Sequence, residues 1–186
     1  MDPHKWLFQP FEIGGVLVRD ERHLRRAFWL EAEYLEDAVG EDDEVNFSAY
    51  GIQLTRSFRA LKLWMTLKVF GRRHVATAVR RGFERAEQAE RLLRERPDWA
   101  IVTPARMGII TFRCVPEGAT DAEADALNRR LAPTLSEEGE IFLTQTSLNG
   151  RPVLRLCPIN PRTTPEDVHM TIDRLDALRE TLQEPS

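Results

Sequence analysis

Cysteine is nearly absent: 186 residues hold two, Cys114 and Cys157, in separate strand-like runs. That excludes a disulfide framework, and buried free thiols are the expectation for both. Histidine is scarce as well, and His4, His23, His74 and His169 have neither ligand spacing nor cysteine neighbours, so no metal centre is expected. No apolar run approaches the roughly 20 residues that a membrane helix needs. No charged-then-apolar leader opens the chain, and a cytoplasmic protein is the expectation. There is no excess of positive charge either. The 26 Lys and Arg against 30 Asp and Glu leave a net charge of -4, which gives no reason to expect nucleic acid or an acidic membrane as partner. What is present is the composition of a soluble globular protein, 42% hydrophobic and 30% charged. By length it has one well-buried core and one domain or slightly more.

Two features stand out from that background. The first is His4-Lys5-Trp6, a lysine between two ring side chains, followed by the apolar and glycine-bearing stretch Phe11 to Val18. Such a lysine can be held in a desolvated slot where its amine is easily neutralised. Only the neutral amine attacks a carbonyl, as a lysine must to form a Schiff base with an aldehyde cofactor. Taken alone, a surface lysine near a chain end is the commoner case. The second is the run from Glu31 to Glu44, which carries eight carboxylates and no basic residue. It repels itself and stays solvated, and Tyr34 and Leu35 are the large residues that such a segment could insert into a pocket.

Asp2-Pro-His-Lys-Trp-Leu, together with Leu54-Thr-Arg-Ser-Phe-Arg-Ala-Leu-Lys-Leu-Trp64, resembles the group II pyridoxal-phosphate decarboxylases, the family of aromatic-L-amino-acid decarboxylase. The resemblance runs along nearly the whole chain. It implies that Lys5 carries pyridoxal 5'-phosphate, that His4 lies against the cofactor phosphate, and that Tyr34, on a mobile loop, is catalytic. It also implies that Leu54 and Thr55 line the pocket of a partner subunit, so that the protein is a homodimer acting on an amino acid. The family's phosphate-cradling loop, ring-stacking histidine and pyridine-pairing aspartate precede the His-Lys motif, which here begins three residues after Met1. The resemblance therefore implies a C-terminal fragment, inactive by itself.

The rest of the chain is α/β in pattern, with an α+β C-terminal part. Residues 11 to 18 are expected to form a strand buried on both faces, with Gly14 and Gly15 allowing close approach to its backbone. A short polar helix follows Arg19. A nearly all-apolar helix is expected over 57–70, closed by Gly71 and buried on most sides, with Arg56, Arg59 and Lys62 as its polar exceptions. Val75, Val79, Phe83, Ala86, Ala89 and Leu93 recur at helical spacing in a second helix over 72–96, stopped by Pro97. Strands are expected at 99–103, 108–114, 141–148 and 152–157, the last two joined by the hairpin signal Asn149-Gly150. Thr120 to Glu123 has the spacing of a capping box opening a helix that ends near Pro133, and Thr164-Pro165 opens the last helix. In domain terms, 1–71 is the remnant of the cofactor-binding large domain with a mobile acidic loop at 31–48. Residues 72–96 are a connecting helix. Residues 97–186 are a small domain with helices on one face of an antiparallel sheet, the C-terminal part of a fold type I pyridoxal-phosphate enzyme.

The implied activity is decarboxylation of an L-amino acid, an aromatic one in first place. A non-catalytic α+β binding or dimerisation module explains the C-terminal 90 residues equally well but leaves His4-Lys5-Trp6 unexplained. Another lyase on the same fold is a further alternative. Arg155 is a candidate for pairing with the substrate carboxylate, although a tight ion pair there opposes loss of carbon dioxide.

Overall fold

The computed structural model describes residues 1–28 and 45–183. The chain divides into two compact units, Met1–Val69 and Phe70–Ser186.

In the second unit a four-stranded antiparallel sheet has the order β1-β2-β4-β3, with β1 Trp99–Arg106, β2 Ile109–Cys114, β3 Thr144–Leu148 and β4 Arg151–Leu156. Side chains alternate across a strand, so Ile110, Phe112 and Cys114 of β2 share one face with Leu154 of β4. That face forms the core with Ala89 and Leu93 of α3 (Ala60–Arg94), Leu131 and Leu135 of α4 (Asp121–Glu137), and Ile172 and Leu175 of α5 (Pro165–Gln183). The hairpin between β3 and β4 closes through Asn149 and Gly150, at φ 52° and 77°. Two successive positive φ values match the turn twist to the strand twist, and they are why asparagine and glycine stand there. Helix α4 opens on a complete capping box: the Thr120 amide donates to Glu123 Oε2 at 2.8 Å, and the Glu123 amide donates to Thr120 Oγ1. Helix α5 repeats the device with Thr164 and Asp167.

Pro133 does not end α4, which runs on to Glu137. Pro133 is exposed, so the carbonyl that loses its donor faces water, while the fully buried Leu135 ties the last turn to the core.

The β2–β4 ladder pairs Ile110, Thr111 and Phe112 with Leu156, Arg155 and Leu154 and does not extend to Cys114. The buried Asn128 side chain serves the Cys114 backbone groups instead. Its Nδ2 donates to the carbonyls of Cys114 and Ala124, each at 2.7 Å, and its Oδ1 accepts from the Cys114 amide at 2.9 Å. Asn128→Leu keeps the volume and orphans two buried peptide groups, each at a cost of roughly 1–3 kcal/mol. We expect urea denaturation to show a loss on the order of 2–6 kcal/mol; an unchanged midpoint would mean that water replaces the amide.

Edge strand β1 has two register irregularities, and the Ala105 amide freed there donates to Glu90 Oε2 of α3 at 2.6 Å. At the other end of β1, Arg96, Asp173, Asp176, Arg179 and Asp98 form a connected ion-pair network, with Trp99 Nε1 donating to Asp176 at 2.9 Å. Burial works against the Asp176 charge, but bonds from Arg179 and Trp99 hold its carboxyl below the usual carboxylate range. Cys114 and Cys157 are free thiols, and burial pushes the Cys114 thiol up to about 12. Among the described residues no helix is long and apolar enough to cross a membrane.

The first unit holds the short helix α1 (Pro3–Trp6), α2 (Arg22–Phe28), a 3-10 turn at Phe47–Tyr50 and the start of α3. Residues 11–18 are not a strand: Ile13 is buried, but Val16 and Leu17 are exposed. A strand needs a partner for its backbone groups, and here the main-chain ties of the segment are a reciprocal pair, each at 2.8 Å, between Met1 and Gly15. A Cβ at Gly14 would meet nothing within 4 Å and one at Gly15 nothing nearer than 3.9 Å, so neither glycine marks a close approach. The apolar helix begins at Ala60 rather than 57, and Gly71 interrupts the helical run at φ 77°. Its side chains are not covered: Trp64 is 57% exposed and Val69 71%.

Candidate functional site

The site is built on α1. Pro3 occupies its first position, where a missing N–H costs nothing, and is its buried residue. After α1 the chain reverses through Phe8 at φ 56°, and the Gln9 amide returns to the Pro3 carbonyl at 3.2 Å. With the Met1–Gly15 pair, this closes residues 1–15 into a loop around the His4-Lys5 turn.

His4 is half-buried and points into that loop. Its Nδ1 lies 2.7 Å from the Ile13 carbonyl oxygen and 3.4 Å from the Ile13 amide. The shorter contact is the better hydrogen bond, so Nδ1 carries the proton and donates to the carbonyl. The Phe11 ring meets the imidazole edge-on, centroids 5.2 Å apart. No hydrogen bond among the described residues involves Nε2.

Lys5 is not in a desolvated slot. Its side chain is 63% exposed, and Nζ pairs with Asp2 Oδ2 at 3.0 Å. The reason is geometric: successive helical residues diverge by about 100°, so a turn that sends His4 into the loop sends Lys5 away from it. The Lys5 hydrogen bond and charge hold the Asp2 carboxyl below the usual range.

Two cations of the second motif, Arg59 and Lys62, hold the segment that follows the first. Arg59 donates from Nε at 3.1 Å and from Nη2 at 2.7 Å to Glu12 Oε1. Lys62 Nζ donates to the carbonyls of Pro10 and Glu12 at 3.1 and 3.2 Å. Arg56 holds the carbonyls of Phe47 and Gln53. The Thr66 hydroxyl lies 2.9 Å from the Lys62 carbonyl and 3.2 Å from Oε1 of the buried Gln9, and its one proton serves one of them at a time. The start of α3 thus grips the loop that carries His4 and Lys5. A sign of this was present in the sequence: polar cations on an otherwise apolar helix need acceptors.

Of the other candidates, Leu54 and Thr55 are exposed on the connection into α3, and no hydrogen bond among the described residues joins them to His4 or Lys5. Arg155, half-buried on β4, has its guanidinium beside the Cys157 thiol, and no carboxylate pairs with it among the described residues. Tyr34 lies outside the described residues.

Residues 1–115 match the model of the pyridoxal-dependent decarboxylase conserved domain. The chain belongs to the pyridoxal-dependent decarboxylase family. Within that family it is 42% identical over 182 residues to an aromatic-L-amino-acid decarboxylase of Bacillus atrophaeus, covering 97% of this chain and 38% of the relative. Tyrosine decarboxylase 2 of Arabidopsis thaliana is 33% identical over 92% of the chain and 31% of its own length. The chain thus spans less than two fifths of either decarboxylase. Among solved structures, the Oryza sativa TDC with PLP and tryptamine superposes with a TM-score of 0.84 at 25% identity, over 99% of this chain and 39% of that one. The Catharanthus roseus tryptophan decarboxylase in complex with L-tryptophan gives 0.78, also at 25% identity, over 97% and 36%. The antiparallel sheet with its helices is therefore a portion of a decarboxylase fold of the fold type I class.

The residues present fit the family's cofactor. An exposed primary amine is reachable by an aldehyde, and the anchored imidazole on the preceding residue has no partner for Nε2 among the described residues, a nitrogen that donates to a phosphate oxygen when the ring is the imidazolium or accepts from a protonated phosphate.

Proposed function

We propose that the protein to which this chain contributes removes the carboxylate of an L-amino acid, an aromatic one in first place, to release the amine, with pyridoxal 5'-phosphate as cofactor. The observation that carries the reading is the His4-anchored turn presenting the Lys5 amine, in a chain of this family. When bound, the cofactor supplies an electron sink for the bond that breaks. This chain's residues supply the rest. Lys5 would hold the cofactor covalently through its amine, His4 would hold the phosphate by donating from Nε2 as the imidazolium, Nδ1 staying on the Ile13 carbonyl, and Tyr34 would deliver a proton from its phenol oxygen to the carbon that has lost carbon dioxide. Arg155 is not the partner of the departing carboxylate, because a cation there would stabilise the charge that must disappear.

In this reading residues 1–71 belong to the cofactor-binding domain and 97–186 to the small domain, joined by 72–96, with the acidic loop 31–48 acting as a lid. The protein is cytoplasmic, and two free thiols with no disulfide between them accord with a reducing compartment.

The test is chemical. The full-length protein is loaded with pyridoxal phosphate, reduced with borohydride and digested. The label is expected on the peptide containing Lys5, and the intact protein is expected to convert aromatic L-amino acids to amines. A label elsewhere, or none, overturns the reading.

We further propose that the working form is a homodimer in which Leu54 and Thr55 reach the partner's pocket. The exposed Phe58, Trp64, Met65 and Val69 support it, since so many large apolar side chains left in water along one short stretch call for cover by a partner. An active species sedimenting as a monomer would remove the proposal.

A further inference from the structure

We propose that Lys62 is a positioning residue for the cofactor site, acting through the backbone of residues 10–13 on the His4 imidazole; the proposal rests on the functional reading above. Three carbonyls of that short segment are divided between two side chains. Those of Pro10 and Glu12 accept from Lys62 Nζ, and that of Ile13 accepts from His4 Nδ1. The segment is therefore strung between α3 on one side and α1 on the other. Ile13 is 4% exposed, so its backbone has little access to water as an alternative partner. Where the Glu12–Ile13 backbone sits decides where the imidazole sits.

Lysine suits this task. An ammonium is a compact charge with three donors free to rotate, so it holds two carbonyl oxygens without imposing a plane on them. Arg59 grips the same residue by a different handle, the Glu12 carboxylate, and Thr66 meets Gln9 one residue before the segment begins. Both leave the three carbonyls untouched. Lys62 thus controls the hydrogen-bond acceptor of His4, and through it the nitrogen presented to the phosphate, although it touches neither His4 nor Lys5.

The experiment compares wild type, Lys62→Met and Lys62→Arg in the intact protein. Apoprotein is titrated with pyridoxal phosphate and the absorbance of the protein-bound cofactor is followed against pH. Methionine retains the stem and removes both charged hydrogen bonds. Lys62→Met is expected to bind the cofactor at least about tenfold more weakly, as befits lost hydrogen bonds from a charged group, with a displaced absorbance-against-pH profile. Lys62→Arg, which keeps charge and donors, is expected to recover most of the affinity. Wild-type affinity and an unchanged profile in Lys62→Met overturn the inference, as does weakened binding with an unchanged profile that arginine does not rescue, since that is what a structural role alone would give. Should Lys62→Met fail to fold by circular dichroism, Lys62→Gln, a neutral donor of shorter reach, carries the same outcomes. Failure of the parent reading is distinguishable, because then wild type itself takes no borohydride label at Lys5.

Discussion

Lys5→Ala is expected to abolish both the borohydride-fixed attachment of pyridoxal phosphate and amine release, while leaving the fold intact. The two halves of that expectation have separate physical grounds. Chemically, Lys5 is the one residue of α1 with a side-chain amine, so alanine removes the nucleophile that the turn presents. Structurally, Lys5 is mostly exposed and its described partner is the exposed carboxylate of Asp2 at 3.0 Å. An exposed pair of this kind adds little to stability. The ties that hold the turn, from Pro3 to Gln9, from His4 to Ile13 and from Met1 to Gly15, do not involve the lysine side chain. Thermal unfolding of Lys5→Ala should therefore match wild type while the label disappears from the peptide map. A persistent adduct at another lysine would show that the attachment point had been misplaced, and a collapse in stability would show that Lys5 does structural work that its exposure does not reveal. His4→Ala makes the contrast: it removes the donor to the buried Ile13 carbonyl and should loosen the turn even in the apoprotein.

The small domain was legible in the sequence because its signals are local. Asn149-Gly150 is needed where two successive positive φ values occur, and Thr120 with Glu123 and Thr164 with Asp167 satisfy each other within one helical turn. A local signal fails where a distant partner decides. Phe11 to Val18 has the composition of a buried strand, but composition reports a need for cover rather than its source, and among the described residues no strand pairs with it. The slot expected for Lys5 failed similarly, since flanking aromatic residues say nothing about which way a four-residue helix turns. Pro133 was read as a terminator because proline removes one hydrogen bond; the burial of Leu135 two residues on, which outweighs it, is a tertiary fact. The Asn128 bridge needed the fold: an asparagine on the apolar face of α4 signals a buried polar partner, but that the partner is the Cys114 backbone follows from β2 outrunning its ladder with β4. Arg59 and Lys62 were recognised as exceptions on an apolar helix. That their acceptors lie some fifty residues earlier, in the loop behind Lys5, required the fold.

Tyr34→Phe is expected to separate chemistry from binding. The expectation rests on the family resemblance together with the charge pattern of 31–44, in which eight carboxylates stand without one basic residue and Tyr34 is the one phenol. If Tyr34 donates the proton that replaces carbon dioxide, phenylalanine retains the ring and its packing and loses the proton alone. Cofactor attachment at Lys5 should then be unchanged, because the reach and exposure of that amine depend on α1 and its loop. Amine release should slow by the roughly 10²- to 10⁴-fold that a positioned general acid contributes, with the loss in kcat rather than in substrate affinity, since a group used after bond cleavage stabilises no ground state. An undelivered proton also leaves time for competing outcomes, so the ratio of amine to carbonyl-containing by-products should fall, which a merely slower lid would not produce. Single-turnover measurement of amine, by-product and bound cofactor in the same samples distinguishes these cases. Full turnover with an unchanged product ratio would return residues 31–44 to the standing of an acidic surface segment and leave the proton donor to be found elsewhere in the protein.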